Sequence, residues 1–325
     1  MALETKLFIT IDTEEDGWGD YHRKDGSVEN INQIPRLQAL FDRFGAVPTY
    51  LLNWPVLMDD RACRIMKDIH ESGRCEIGTH CHPWNTPPIE ENISSVNSMM
   101  CNLPEALTKA KIANLAAATE ERLQVKPQSF RTGRWGFGRY VAKALLDSGY
   151  AVDSSVCPGV DWRSDYGPDF LSAPDKPYRF DPARVLEPDV NGQLLEIPAS
   201  TGFFQAAGTP LLQLRRLLAR SYIKRLHLIG LLDRLKVMNF RWLSPELSSA
   251  ADMITLSRSL IKRGCPTLNL SFHSTSLLPG MSPFVRSQND LDAFLLRIEK
   301  VLEFANRNNI KFSSLSDYVR EPLVN

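Results

Sequence analysis

The sequence of 325 residues lacks the features that define several classes of protein. It has no uninterrupted apolar run of about 18 residues, which excludes a conventional transmembrane helix. Its 38 Lys and Arg balance 38 Asp and Glu, so the net charge gives no indication of nucleic acid as a partner. None of its six cysteines belongs to a C-x-x-C pair, and the N-terminus shows no signal peptide. We therefore expect a cytoplasmic protein with reduced thiols and no disulfide framework.

The residues that are present have the composition of an ordinary globular protein. Apolar residues make up 43% of the chain and charged residues 23%, so a full hydrophobic core can form. Apolar, β-branched segments predict strands at 6–12, 46–52, 74–78, 129–131, 150–154, 194–198, 267–272 and 311–314. Apolar residues at helical spacing predict helices at 32–44, 55–72, 105–123, 140–148, 248–263 and 290–306.

Strands and helices thus alternate along the whole chain. This order predicts parallel strands joined by crossover helices. No internal repeat, low-complexity tract or linker divides the sequence into two cores. We therefore expect a single barrel-like α/β domain over residues 1–325, with a helical insertion at about 205–245.

The first predicted strand ends in four acidic residues, at positions 12, 14, 15 and 16. In parallel α/β proteins, functional groups collect at the carboxyl ends of the strands. Acids this close are costly to bring together unless cations compensate their charge, although a solvated loop would also hold them. Asp12 and Glu14 would share one face while the strand geometry lasts. This arrangement suits one carboxylate as a metal ligand and the other as a general base.

The third predicted strand leads into two histidines, His80 and His82. In extended backbone, residues two apart project to the same side, as two ligands of one metal ion must. Cys81 would then point away, and we expect it to pack in the core. An H-x-H pair also occurs by chance on protein surfaces, but the acids at an earlier strand end favour a metal site here.

Two further strand ends carry groups that are suited to catalysis. In residues 130–138, three glycines allow tight backbone, one of the two arginines can keep a neighbouring carboxylate ionised, and Trp135 can form a pocket wall. A glycine-rich turn around a buried aromatic is the alternative, and the glycine spacing does not match a dinucleotide-binding loop. His273 emerges from a core strand, where it can act as a general acid or serve as a structural histidine.

Taken in this order, the four segments resemble the motifs of the polysaccharide deacetylase superfamily, the NodB-type metal-dependent carbohydrate esterases. The resemblance covers most of residues 6–318, apart from the insertion at about 205–245. It implies a distorted (β/α)7-type barrel and a divalent metal, most often zinc, with iron, cobalt or nickel as alternatives. It also implies hydrolysis of an N-acetyl or O-acetyl group on a sugar or polysaccharide precursor.

The resemblance assigns roles to four residues of the reaction centre. Asp12 matches the catalytic base, Arg131 the arginine that orients this base, and His273 the general acid. Asp153 resembles a further acidic position that is tied to the final histidine, and we expect it on the substrate-binding side.

The resemblance also implies a metal-ligand set of Glu14, His80 and His82. Two features depart from the usual motifs. The histidines are normally four residues apart, whereas here position 84 is Trp and the second histidine is His82. The metal-binding acid is Glu instead of Asp. A Glu-His-His triad is nevertheless a sensible zinc site with open positions for water.

Aromatic residues near the predicted cleft mouth fit stacking against a sugar. These aromatic residues are Trp18, Trp84, Trp135 and Trp162, and we place Trp84 and Trp135 in substrate binding. Two alternative functions remain open. One is hydrolysis of a non-sugar amide or ureide C–N bond by the same fold, and the other is glycan binding without turnover. An iron oxygenase is less favoured, because its motif usually pairs the acid with a histidine as H-x-D.

Residues 211–241 contain eight Lys and Arg against the single acid Asp233, with leucines and isoleucines between them. This pattern is typical of a basic amphipathic helix pair, which can lie on an anionic membrane surface. Peripheral contact with the inner membrane face would suit a deacetylase of lipid-linked sugars. The alternative is a helical lid that packs on the barrel with a solvated basic face.

Overall fold

The structure is a computed structural model that describes residues 4–19, 21, 26–205, 211, 213–214, 217, 232, 234–235 and 237–321. Within these residues, eleven strands form a nine-stranded sheet and a two-stranded ribbon. The strands are β1 (Lys6–Thr13), β2 (Thr49–Leu52), β3 (Glu76–Cys81), β4 (Ser129–Thr132), β5 (Val152–Asp153), β6 (Tyr178–Phe180), β7 (Leu194–Glu196), β8 (Thr201–Phe203), β9 (Phe240–Trp242), β10 (Thr267–His273) and β11 (Lys311–Phe312).

Seven neighbouring strands of the larger sheet run parallel, in the order β10-β1-β2-β3-β4-β5-β7. Strand β10 also approaches the chain that follows β7. There the backbone N–H of Asn269 donates to Ser200 Oγ at 2.8 Å, and its side-chain amide lies 3.4 Å from the Pro198 carbonyl oxygen. These bonds draw the two ends of the sheet together into a distorted barrel. The predicted α/β barrel-like fold of parallel strands is confirmed.

Helices on the crossover connections account for most of the remaining regular structure. They are α1 (Ile34–Asp42), α2 (Trp54–Met58), α3 (Asp60–Glu71), α4 (Glu105–Leu123), α5 (Arg139–Asp147), α6 (Ala250–Lys262) and α7 (Gln288–Arg307). Helix α4 begins and ends at the predicted residues. In the parts of the chain that the structure describes, none of the helices is both long and apolar enough to cross a membrane.

The helix predicted at 55–72 is two helices, and the break lies at Asp59. This residue has extended backbone angles, and its carboxylate accepts a hydrogen bond from the Ala62 N–H at 2.8 Å. Asp favours this capping position, because its side chain satisfies a backbone donor that has no partner within the helix. A new helix therefore starts at Asp60.

The sequence does not predict strands β6, β8 and β9. Strand β6 also corrects the expectation of a wholly parallel sheet. Each of these strands has three residues, which is too short for a recognisable alternation, and β6 pairs antiparallel to β7. Strands β8 and β9 form an antiparallel ribbon near the ends of the predicted insertion at 205–245. Most of that insertion, including 19 of the 31 residues of the basic segment 211–241, lies outside the described residues. Its helical structure and its membrane contact stay predictions.

The loop that follows β3 is anchored by Lys111 of α4, whose side chain is fully buried. Its Nζ donates to the carbonyl oxygens of Pro83, Thr86 and Pro88 at 2.7–2.8 Å. Glu91 Oε1 lies 2.9 Å from the same nitrogen and supplies the opposite charge. The loop positions His82 and Trp84, so this lysine supports the site as well as the fold.

We expect Lys111→Met to destabilise the protein by about 3–5 kcal/mol, because it leaves Glu91 buried without its cation. The carbonyl oxygens of the loop also lose their donor. Urea unfolding followed by far-ultraviolet circular dichroism measures the change. Lys109→Met is the matched control on the same helix, because Lys109 is exposed and pairs with Asp147 at the surface. Equal stability of the two variants would contradict the anchoring role.

Candidate active site

The carboxyl ends of β1, β3, β4 and β10 bring the predicted site residues together. In the parallel register, Asp12 lies beside His273, and His80 lies beside Arg131. Although β2 separates β1 from β3, the curled sheet brings Asp12 Oδ2 to 4.0 Å from His80 Nδ1. Residues that are up to 261 positions apart in the sequence thus meet at one end of the barrel.

Arg131 fixes Asp12 from within the barrel. Its Nη1 donates to Asp12 Oδ1 at 2.6 Å, and its other nitrogens donate to Thr10 Oγ1 and the Ser154 carbonyl oxygen, each at 2.7 Å. The guanidinium is fully buried, and each of these bonds restricts its orientation. Burial raises the pKa of Asp12, but Arg131, His80 and His273 outweigh it and lower the pKa to about 2. Asp12 is therefore a carboxylate at neutral pH.

Glu14, His80 and His82 form a buried cluster beside Asp12. The two Nε2 atoms of the histidines lie 2.9 Å apart. Glu14 Oε2 lies 3.5 Å from Nε2 of His80 and 3.4 Å from Nε2 of His82. Carboxylate and imidazole are ligands that divalent zinc and iron accept.

The hydrogen bonds around this cluster fit a bound cation. His80 Nδ1 lies 3.2 Å from the Arg131 carbonyl oxygen, which can only accept, so we assign the His80 proton to Nδ1. His82 Nδ1 faces Glu15 Oε1 at 3.5 Å, which favours the same tautomer. Both Nε2 lone pairs then face each other beside Glu14, whose Oε1 has no hydrogen-bond partner among the described residues. A cation bound by all three residues would accept the electron pairs of the two Nε2 atoms and of the Glu14 carboxylate.

The surroundings of His82 hold its ring in place. Trp84 stacks on it with ring centroids 4.1 Å apart, and Trp84 Nε1 donates to Glu15 Oε1 at 3.3 Å. A Cβ atom on Gly133 would lie 2.1 Å from His82 Cδ2, so only glycine leaves room for the ring. Burial raises the pKa of Glu15, but the adjacent His82 and hydrogen bonds lower it to about 2. Glu15 is thus an ionised partner of His82.

His273 is paired with Glu246, which lies just after the ribbon. Its Nδ1 lies 2.9 Å from Glu246 Oε2, and its backbone N–H donates to Glu246 Oε1 at 3.1 Å. His273 Nε2 then faces Asp12 Oδ2 at 3.7 Å. Burial lowers the pKa of His273, but Glu246, Glu14 and Asp12 outweigh it and raise the pKa to about 10. The imidazole is therefore protonated at neutral pH.

The structure corrects the position expected for Asp153. Its carboxylate is fully buried and accepts hydrogen bonds from the Ser155 hydroxyl at 2.7 Å and the Ser155 N–H at 3.0 Å. Burial raises its pKa to about 6 beside Glu196, whose pKa burial also raises. Asp153 therefore lies beneath the site and does not line the cleft. The acid that pairs with His273 is Glu246.

A cleft of about 330 Å³ opens above Asp12, Glu14 and the histidines. Four tryptophans line it, namely Trp18, Trp84, Trp135 and Trp162. Trp18 packs edge-on against His273, with ring centroids 5.5 Å apart. A larger cavity of about 530 Å³ lies elsewhere, beside the ribbon, but its lining contains none of the clustered acids and histidines. The smaller cleft is therefore the candidate active site.

Sequence comparison alone does not assign the chain, since no family model and no curated protein matches it. Structural comparison is informative. A protein from Mycobacterium smegmatis, provisionally assigned as a polysaccharide deacetylase, matches with a TM-score of 0.51 and 15% sequence identity. The match covers 100% of this chain and 96% of that chain. The chain has the polysaccharide deacetylase fold.

The same architecture also occurs in proteins with other activities. A GH57 branching enzyme from Thermococcus kodakaraensis matches with a TM-score of 0.52, covering 99% of this chain and 72% of its own. The α-amylase AmyC from Thermotoga maritima matches with a TM-score of 0.51, covering 99% and 75%. Both are 11% identical to this chain. The polysaccharide deacetylase fold therefore does not decide the reaction, which has to be argued from the site.

Sequence reasoning missed two acids of this site. Glu15 lies in the acidic run that follows β1, so its position was a usable signal. Its neighbour Asp16 has a different role, because its carboxylate accepts hydrogen bonds from the Glu29 and Asn30 backbone. Glu246 carries no signal of this kind, since it lies 27 positions before His273 without a recognisable motif.

Proposed function

We propose that the protein is a metal-dependent hydrolase that removes an acetyl group from an N-acetylated sugar, with an O-acetylated sugar as the alternative. One observation carries this proposal. An ionised Asp12 lies 3.7 Å from a protonated His273 and 4.0 Å from a histidine of the Glu14-His80-His82 cluster. A base, an acid and a metal-ligand set thus converge on one aromatic cleft, and this combination suits metal-assisted hydrolysis of an amide.

The cation would be held by Glu14, His80 and His82. Zinc is the first candidate, with iron, cobalt and nickel as alternatives. When bound, a divalent cation supplies Lewis-acid activation of water and of the acyl carbonyl group.

The protein's own residues manage the protons of the reaction. As the water oxygen bonds to the acyl carbon, Asp12 accepts the water proton, and Arg131 holds the carboxylate in position. His273 donates its proton to the departing amine nitrogen as the C–N bond breaks. Glu246 holds Nδ1 of His273, which leaves Nε2 directed at Asp12 and the reacting groups. Trp84 and Trp135 offer apolar faces on which a sugar ring can stack.

A direct test is acetate release from N-acetylglucosamine and its short β-linked oligomers by zinc-loaded protein. We expect acetate and free amine in equal amounts. Acetanilide serves as a non-sugar amide in the same assay. Turnover of acetanilide alone would favour the hydrolase of non-sugar C–N bonds, and sugar binding without any turnover would favour a glycan-binding protein.

Glu246→Gln is expected to move the alkaline limb of the kcat profile to lower pH. His273 is active as an acid while protonated, so activity is present below its pKa and is lost as pH rises through about 10. Removing the Glu246 charge lowers that pKa, and Asp12 and Glu14 then supply the remaining negative charge around the ring. The shift should be at least about one pH unit.

Glu246→Asp is the matched control, since it keeps the charge and should retain most of the wild-type profile. kcat measured from pH 6 to 11 would decide. Identical alkaline limbs in wild type and Glu246→Gln would argue against His273 as the acid that Glu246 controls.

The proposed partners and location follow from the chemistry and the sequence. A lipid-linked acetylated sugar at the inner membrane face remains a prediction. It depends on membrane contact by residues 211–241, most of which lie outside the described residues. Cytoplasmic localisation also remains a prediction.

A further inference from the structure

We propose that Arg134 binds an anionic group, a carboxylate or a phosphate, on the acylated substrate and so selects acidic over neutral sugars. This inference rests on the proposed function, because it names the substrate class of the same cleft. Of the residues that the structure describes, Arg134 is the only Lys or Arg in the cleft lining. Among the described lining residues, it is therefore the side chain that can offer a guanidinium to an anionic ligand.

Within the described part of the chain, the guanidinium of Arg134 is held in place and still has N–H groups without an acceptor. Its Nη1 donates to Ser98 Oγ, and its carbon lies 5.6 Å from the centroid of the Tyr21 ring. The Ser98 hydroxyl donates to the Ser95 carbonyl oxygen at 2.7 Å, so its oxygen is available to accept from Arg134. An arginine has five N–H donors, and no other acceptor for them is found in the described part of the chain. Ser98 and Tyr21 thus orient the group without saturating it.

Among the residues that the structure describes, Arg134 forms no ion pair. Asp165 lines the same cleft, yet no ion pair joins it to Arg134. Arg131 provides the contrast, since it bonds to Asp12, Thr10 and the Ser154 backbone. A fixed guanidinium with open donors suits two parallel hydrogen bonds to a carboxylate or phosphate.

Arg134 reaches the cleft with backbone angles that non-glycine residues rarely adopt. Arg134 and Trp135 are consecutive non-glycine residues at φ of 54° and 60°, a region that side chains with a Cβ rarely adopt. Both side chains line the cleft. Such strain persists where the surroundings enforce it, and it is concentrated at functional sites. The strain therefore accompanies a pair of residues that present charge and a stacking face to the same ligand.

The test measures binding separately from turnover. Calorimetry in the Asp12→Asn background compares N-acetylglucosamine, its 6-phosphate and N-acetylglucosaminuronic acid. We expect at least one anionic ligand to bind roughly ten- to hundredfold more tightly than the neutral sugar, as for hydrogen bonds to charged groups. Arg134→Gln should abolish that difference. Arg139→Gln is the matched control, because Arg139 is exposed on α5 and does not line the cleft.

The outcomes separate this inference from the proposed function. Preference for the phosphate or for the carboxylate identifies which anion is recognised, and either one supports Arg134. Equal binding of neutral and anionic sugars, with acetate released by the wild type, overturns the Arg134 inference and leaves the hydrolase intact. Anion binding that depends on Arg134 without acetate release overturns the hydrolase and leaves this inference intact. No binding of any of the three sugars overturns the inference.

Discussion

Asp12→Asn is expected to lower kcat for acetate release by roughly 10²- to 10⁴-fold, the usual contribution of a general base. The amide keeps the shape of the side chain but cannot accept the water proton. It also leaves the buried guanidinium of Arg131 without its counter-charge, so the assay belongs well below the melting temperature. Steady-state rates of acetate release, normalised to folded protein, measure the effect.

Glu14→Gln is the informative comparison for this variant, because the two carboxylates lie two residues apart on the same strand end. Asp12→Asn should keep its metal, since Asp12 is outside the ligand cluster, whereas Glu14→Gln should lose metal and activity together. Near wild-type turnover by Asp12→Asn would exclude Asp12 as the base. Metal loss in both variants would instead make Asp12 a fourth ligand.

The double variant His80→Ala/His82→Ala is expected to lose the bound metal entirely. Wild type reconstituted with zinc, iron or cobalt should hold about one ion per chain, as one cluster of three ligands predicts. Removing two of three ligands leaves only the Glu14 carboxylate, which does not retain a divalent ion through gel filtration. Plasma emission spectrometry on protein freed of chelator measures the content.

His70→Ala is the control, because it removes a histidine that is not a proposed metal ligand. His70 lies at the end of α3, and its Nδ1 contacts the carbonyl oxygen of Cys75, which precedes β3 at the end opposite the cluster. It should bind as much metal as wild type. A wild type that binds no metal after reconstitution, or a double variant that retains it, would refute the metal-dependent mechanism.

Much of the site could be predicted from local sequence patterns at strand ends. Asp12 and Glu14 follow an apolar strand, and His80 and His82 share one face of another, so spacing alone indicated carboxylate and imidazole ligands. The fold class could be predicted in the same way, because buried parallel strands and amphipathic helices leave clear periodic patterns. Short antiparallel strands such as β6 leave no such pattern.

Other assignments depended on contacts that spacing does not encode. Asp153 matches a motif position, yet its side chain turns into the protein beside Glu196, and Glu246 from a distant segment pairs with His273. Arg134 shows no local sign that distinguishes it from an ordinary surface arginine. Its significance lies in the absence of an acidic partner in the described cleft, which is a property of the whole surrounding structure.

Local sequence patterns are sufficient to predict the alternation of strands and helices, the strand ends that carry chemistry, and the types of side chain at those ends. These properties depend on neighbours within a few residues, so they are readable in one dimension. The folded structure is needed to establish which acid pairs with which base, which tautomers the histidines adopt and which charges are available to a ligand. Those properties depend on groups such as Glu246 and Arg131, which reach the site from remote parts of the chain because the sheet curls.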